Sequence, residues 1–181
     1  MLGYNREDWN ATVSVWLKLD PDKDLEPGYC DPVQIVGDDS KKGFIFMEWS
    51  KDENPRLFRY AIRPLFHIWN PNNVQWADIP FEKRPMVQVE KAPFSREHWT
   101  HLAFTIEHVN SKQQPQSGSL FINGAKQGSI RNWDLSIEWD SKQVQLVLGA
   151  AYVGMIDELS IYNGVLSDDE IKTLGGSAFG E

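Results

Sequence analysis

Trp99-Thr100-His101-Leu102-Ala103-Phe104-Thr105, Ser119-Leu120-Phe121-Ile122-Asn123-Gly124, Gly154-Met155-Ile156-Asp157-Glu158-Leu159-Ser160-Ile161-Tyr162-Asn163 and Leu166-Ser167-Asp168-Asp169-Glu170-Ile171 together decide the fold of this chain. The first continues to Glu107 and sends Leu102, Phe104 and Ile106 to one face, the period-two pattern of a half-buried strand. Asn123-Gly124 closes the second as a hairpin, because this dipeptide adopts the two positive-φ conformations of a type I′ turn. In the third, alternation puts Met155, Asp157, Leu159 and Ile161 on one face, so Asp157, Leu159 and Ile161 are expected to point inward. The fourth reads as a capping box: Ser167 accepts from the amide three residues on, and Glu170 reaches back. Ile171 and Leu174 give the following helix an apolar side, and Gly175-Gly176 ends it.

Working outward, Ala11–Leu19 alternates Val13, Val15, Leu17 and Leu19 against Thr12, Ser14, Trp16 and Lys18. Turn formers follow at Asp20-Pro21-Asp22-Lys23-Asp24 and Glu26-Pro27-Gly28. Further strands are expected at Pro32–Val36, Gly43–Trp49 and Leu57–His67, with Pro64 marking an edge position or a bulge. From Trp69 to Pro93 the pattern is interrupted by prolines at 71, 80, 85 and 93, and only Met86–Val89 reads as a strand. A connection this long is often functional. Asn110–Gly118 is expected to be an exposed polar loop, and Val144–Leu148 and Val153–Tyr162 two more strands. Roughly ten to twelve short strands and one helix, without repeats, predict an all-β, two-sheet antiparallel β-sandwich with one short C-terminal helix. One domain over residues 1–181 suits this length.

The quoted segments resemble the second half of a laminin-G-like domain of the concanavalin A-like lectin/glucanase superfamily, whose fold is a jelly roll. The resemblance is strongest over about 95–174 and includes the opening strand Asn10–Leu19, but it is weak over Pro32–Pro93. Its motifs are packing motifs, so they carry a fold and no chemistry. The resemblance implies a binding module that takes a glycan or a protein partner at rim loops or on the concave sheet, and in some relatives holds calcium. It also implies an extracytoplasmic setting (periplasmic, cell surface or secreted) beside other domains of a larger protein. Met1–Asp8 shows neither the basic start nor the apolar stretch of a secretory signal.

With 181 residues and a formal charge of -8, the chain lacks the Lys and Arg clusters that nucleic-acid binding needs. Its apolar runs are strand-sized, far short of the roughly 20 residues of a membrane helix. Cys30 is the only cysteine, so no internal disulfide forms. It is expected to be a half-buried residue without nucleophilic activation.

Hydrolases of the same superfamily need two carboxylates on either side of one sugar bond. Asp157 and Glu158 are adjacent and face opposite ways, and Glu48 in Phe44-Ile45-Phe46-Met47-Glu48-Trp49 stands alone, so a glycoside hydrolase is disfavoured and no enzyme activity is expected. No Gly-x-Ser-x-Gly elbow exists. His98 and His101 fall on opposite faces of a strand, with His101 structural. Asp20, Asp22 and Asp24 alternate like a calcium loop, yet Leu25 and Asp31 stand where that loop requires Gly and Glu. No cofactor is required on these grounds. Asp157 is the weak candidate for calcium, because a buried carboxylate must be paired, hydrogen-bonded or metal-bound.

Aromatic residues supply the remaining signal. Eight Trp exceed what a core usually takes. Trp16 and Trp99 belong to strands and pack. Trp69 and Trp76 lie in irregular sequence with Asn70, Asn72, Asn73 and Asp78, where flat apolar faces and amides suit a sugar's C–H face and hydroxyls. These six residues are the candidate ligand-binding set, and the competing reading is that the two Trp pin the loop to the sheet. Trp133 and Trp139 form a second, weaker pair. A structural or interaction domain without a small ligand is the alternative function.

Overall fold

The structure, a computed structural model, describes residues 2–51 and 53–176. The described residues form ten strands: β1 (Trp9–Lys18), β2 (Cys30–Val36), β3 (Phe44–Trp49), β4 (Phe58–Arg63), β5 (Met86–Val89), β6 (Thr100–Val109), β7 (Ser117–Ile122), β8 (Ala125–Ile130), β9 (Gln145–Ala150) and β10 (Met155–Tyr162). They form two five-stranded sheets, in the orders β10-β1-β6-β7-β8 and β5-β4-β3-β2-β9. Every pairing is antiparallel. The chain is thus the two-sheet sandwich expected, and β5 occupies the Met86–Val89 segment read from the sequence.

Alternation places Val13, Val15 and Leu17 of β1 and Leu102, Phe104 and Ile106 of β6 in the core, facing Val33, Ile35, Ile45, Met47, Tyr60 and Ile62 of the other sheet. Each such aliphatic or aromatic side chain contributes about 1.5–3 kcal/mol on burial. Tyr60 crosses the interior, and its hydroxyl donates to the Thr105 carbonyl at 2.8 Å. Burial raises its pKa far above the usual phenol value.

The hairpin and the helix form as their sequences dictate. Asn123 has φ 49° and Gly124 φ 74°, and Asn123 Oδ1 accepts from the His101 amide at 2.9 Å. Ser167 Oγ accepts from the Glu170 amide at 3.3 Å, while Glu170 Oε2 accepts from the Ser167 amide at 2.8 Å. The helix α3 (Asp168–Gly176) packs Ile171 onto Ala103 and Phe121 on the outer face of the first sheet. Its Gly175 comes so close to the hairpin that an added Cβ would lie 2.4 Å from the Gly124 nitrogen.

Several expectations are corrected. In β10, Trp16 pairs with Asp157 but Ser14 with Ser160, so two residues of β10 oppose Val15 alone. This β-bulge, with Glu158 at φ 47°, reverses the alternation midway. Ile156 and Ile161 therefore share the core side, while Met155, Asp157 and Leu159 are exposed, Met155 at 60% and Leu159 at 36%. Strand β4 stops at Arg63, one residue before Pro64, and lies between β5 and β3, so Pro64 ends a central strand and marks neither an edge nor a bulge. Phe66 and His67 belong to the one-turn helix α2 (Phe66–Trp69), and another turn, α1 (Pro21–Asp24), carries Asp20 as its cap. Asn110 and Ser111 are buried rather than exposed, since Asn110 ties the Asn5 carbonyl and the Ile137 amide. Cys30 is fully buried, and desolvation pushes its thiol pKa up. Trp139 is a core residue donating to the Gly43 carbonyl at 3.0 Å, and Trp133 packs half-buried against the same core.

Candidate functional site

The segment between β4 and β5 folds back over the outer face of the second sheet. Pro64 ends β4, α2 turns the chain, and Asn70 closes it: the Asn70 side chain accepts from the Val74 amide and donates to the Val74 carbonyl, both at 3.0 Å. Asn73 takes the left-handed φ of 49° that this turn requires and that Asn tolerates. Arg84 then reaches back from the β5 side to the carbonyls of Ile79 at 2.9 Å and Trp76 at 3.0 Å.

A pocket of about 320 Å³ opens within this segment, with Trp69, Asn70, Asn72, Asp78, Ile79 and Lys83 in its lining. Four of the six residues singled out in the sequence meet there. Asn73 and Trp76 do not line it. Asn70, buried, spends its amide on the loop itself. Trp76 packs half-buried against Phe46, Ala61 and Met86. Its ring lies 5.6 Å from the Trp69 ring, and the guanidinium carbons of Arg63 and Arg84 are 4.1 and 4.4 Å from its centroid. Trp76 is thus a cation–π brace of the loop, whereas Trp69 presents a ring to the pocket.

Next to Trp69, the outer face of the second sheet carries polar groups that sequence spacing does not bring together. Register puts Glu48 of β3 opposite Arg59 of β4, and Arg59 opposite Gln88 of β5. Arg59 donates to Glu48 Oε1 at 3.3 Å, to Gln88 Oε1 at 2.9 Å and to Glu53 Oε1 at 3.2 Å. Asp31 lies on the other side of Glu48, where the β2–β3 register slips between Cys30 and Val33, and accepts from Gln34 at 2.6 Å. Glu48 therefore does not stand alone. Desolvation, reinforced by the Asp31 charge, lifts its pKa to about 7. Desolvation also raises Asp31 and lowers Arg63. The two carboxylates are neighbours, as a hydrolase would need, but Asp31 is 8% and Glu48 5% exposed. Asp31 Oδ1 is sealed from solvent without a partner and Oδ2 is taken by Gln34, so one sugar bond cannot reach both groups.

Other candidates stay apart. His98 is exposed and His101 buried; His101 Nε2 meets Ser14 Oγ at 2.8 Å, and burial lowers the imidazole pKa to about 4. Nδ1 of His101 has no partner, so this sealed Ser–His pair lacks an orienting acid and stays neutral. Asp157, exposed by the bulge, accepts from the Glu158 amide at 2.8 Å. Among the described residues no three His, Cys, Asp or Glu side chains gather to hold a metal, at Asp157 or elsewhere. No helix of the described residues is long and apolar enough to cross a membrane.

A sandwich of two antiparallel five-stranded sheets is the architecture of concanavalin A-like domains. The chain belongs to the laminin-G family Laminin_G_3 of the concanavalin A-like lectin/glucanases superfamily, which matches residues 5–172. No curated protein matches its sequence. Its fold is similar to domain 4 of AbnA, an extracellular GH43 arabinanase of Geobacillus stearothermophilus in complex with arabinotriose (TM-score 0.51, 20% identity, 96% of this chain and 69% of that one). It is also similar to the CBM40 of the Ruminococcus gnavus IT-sialidase bound to α2,3-sialyllactose (TM-score 0.57, 14% identity, 94% and 85%). A third similar fold is found in the receptor-binding domain of botulinum neurotoxin mosaic serotype C/D (TM-score 0.57, 13% identity, 94% of this chain but 36% of that one).

Proposed function

We propose that this domain is a non-catalytic recognition module that binds a glycan at the Trp69 pocket, as one unit of a larger extracytoplasmic protein. The pocket carries this reading: it sets an indole face beside the exposed side chains of Asn72, Asp78 and Lys83, the combination of apolar platform and few convergent polar groups that small-ligand sites use. Two fold neighbours solved with arabinotriose and sialyllactose lend support. A glycan rather than a protein surface is favoured because the site is concave. The burial of Asp31, whose Oδ1 is sealed and whose Oδ2 is held by Gln34, argues against hydrolysis. A glycan array with the whole chain, repeated with Trp69→Ala and Asn72→Ala, tests the reading. Binding by the wild type that falls at least about tenfold in Trp69→Ala, the loss of roughly one stacking contact, is the expected result. A wild type that binds no glycan overturns it.

A further inference from the structure

Arg63 is the least expected side chain in the structure. With the described residues its guanidinium makes no hydrogen bond and no ion pair; its contacts are ring faces, with Phe46 at 4.7 Å, Trp69 at 5.0 Å, Trp76 at 4.1 Å and Phe44 at 5.9 Å from its central carbon. A half-buried cation held only by rings keeps most of its desolvation cost and none of the hydrogen bonds that normally offset it. Such groups cluster where a ligand supplies the missing partner. Arg63 Nε is sealed and unpartnered. The two terminal nitrogens make no hydrogen bond with the described residues and are not among the sealed atoms, so they reach solvent.

Glu48 shows the same property with opposite polarity. Oε1 accepts from Arg59, whereas Oε2 accepts from none of the described residues and is not among the sealed atoms. Glu48 and Arg63 influence each other electrostatically but do not approach within ion-pair distance. Asp31, across the β2–β3 register slip from Glu48, is a third acidic group within electrostatic reach of both. Register sets Arg63 opposite Phe44, and its guanidinium reaches back over Phe46, two residues from Glu48 on the same face of β3. A guanidinium that only donates and, once ionised, a carboxylate that only accepts, neither satisfied by the other, match groups that donate and accept at once. Hydroxyls do this. A carboxylate or sulfate on the ligand would satisfy Arg63 but would meet the charges of Glu48 and Asp31.

Resting on the glycan reading above, we propose that Glu48 and Arg63 form a hydroxyl-reading subsite beside Trp69 that selects neutral sugars over acidic ones. One ligand hydroxyl accepts from an Arg63 terminal nitrogen, a neighbouring one donates to Glu48 Oε2, and the Trp69 ring, 5.0 Å from the guanidinium, borders both this subsite and the pocket.

The test is titration of the whole chain with arabinotriose and lactose as neutral probes and sialyllactose as the acidic one, for the wild type, Arg63→Lys and Glu48→Gln, with thermal unfolding measured on each protein. Lysine keeps the charge and loses the fork; glutamine keeps the shape of Glu48 and loses its charge. Binding of a neutral probe that falls about 10- to 100-fold in both variants, as expected for hydrogen bonds to charged groups, with both variants folded at the assay temperature, supports the subsite. Should Arg63→Lys fail to fold, Glu48→Gln decides. Unchanged affinity in the folded variants overturns the subsite and leaves the Trp69 pocket standing. Preference for sialyllactose over lactose overturns the neutral selectivity, and a wild type that binds none of the three, nor any glycan on the array, overturns the glycan reading and the subsite together.

Discussion

Replacing Asn123 and Gly124 by valine removes three things at the β7–β8 turn. Both positions hold left-handed φ, which costs a β-branched residue about 1–2 kcal/mol each. Asn123 Oδ1 accepts from the His101 amide, and deleting the side chain strands that donor beside a buried residue at about 1–3 kcal/mol. A Cβ on Gly124 would also come within 2.8 Å of Lys172 Cα, a backbone contact that cannot move aside without shifting α3. The first two contributions together come to about 3–7 kcal/mol. In a chain of this size each kcal/mol lowers the melting temperature by about 2–4 °C, so a fall of roughly 6–28 °C is expected. Circular dichroism at neutral pH measures it, with Gly124→Ala as the milder comparison. A double variant that melts within about 3 °C of the wild type refutes the turn geometry and with it the docking of α3 on the hairpin.

Glu48→Gln should gain stability relative to the wild type as pH rises. The folded carboxyl titrates at about 7 instead of its ordinary 4.5, so unfolding releases a proton between these values and the wild type loses on the order of 3 kcal/mol from pH 4 to pH 8; a melting-temperature gap that stays flat over this range argues against a desolvated Glu48. Trp76→Ala should lower stability by about 2–4 kcal/mol, because the brace between Arg63 and Arg84 and the packing on Phe46 are lost. Trp69→Ala should act mainly on ligand binding, and equal destabilisation by both variants in chemical denaturation would contradict this division. EDTA should leave the melting temperature unchanged and Asp157→Ala should cost under about 1 kcal/mol, as for an exposed side chain. Calcium that restores an EDTA-induced loss would place a metal in the fold.

What the sequence disclosed follows from the range of the interactions concerned. Asn123-Gly124, the Ser167–Glu170 cap and the Leu102–Ile106 alternation are local, and each is found where residue type and period place it. The β10 bulge is different: nothing in Met155–Tyr162 announces the extra residue, because it is defined against Val15, more than a hundred positions away. Alternation read without it put Leu159 and Asp157 on the wrong face. Trp69, Asn72 and Asp78 could be chosen from their irregular surroundings, but the distinct role of Trp76 depends on Arg63 and Arg84 arriving from β4 and from the far end of the loop. The Glu48, Arg59 and Gln88 alignment exists only across strand register. Its one local trace was a charged residue amid Phe44, Phe46 and Trp49 on a strand otherwise apolar.

The bulge also determines how this sandwich ends. Strand β10 is outermost in its sheet, and a regular outermost strand offers its free amides and carbonyls as a template on which another chain can zip up. With Glu158 turned left-handed and two exposed acidic side chains in succession at 157 and 158, the hydrogen-bonding groups no longer form a straight row, and an approaching strand meets charge. The same extra residue leaves Leu159 and Met155 outside, an apolar strip that would be sticky on a straight border. Restoring even alternation by deleting Glu158 would carry Leu159 inward and align the border for strand-to-strand association, so the irregularity that hides the core pattern from a sequence reader also works against such pairing along this side.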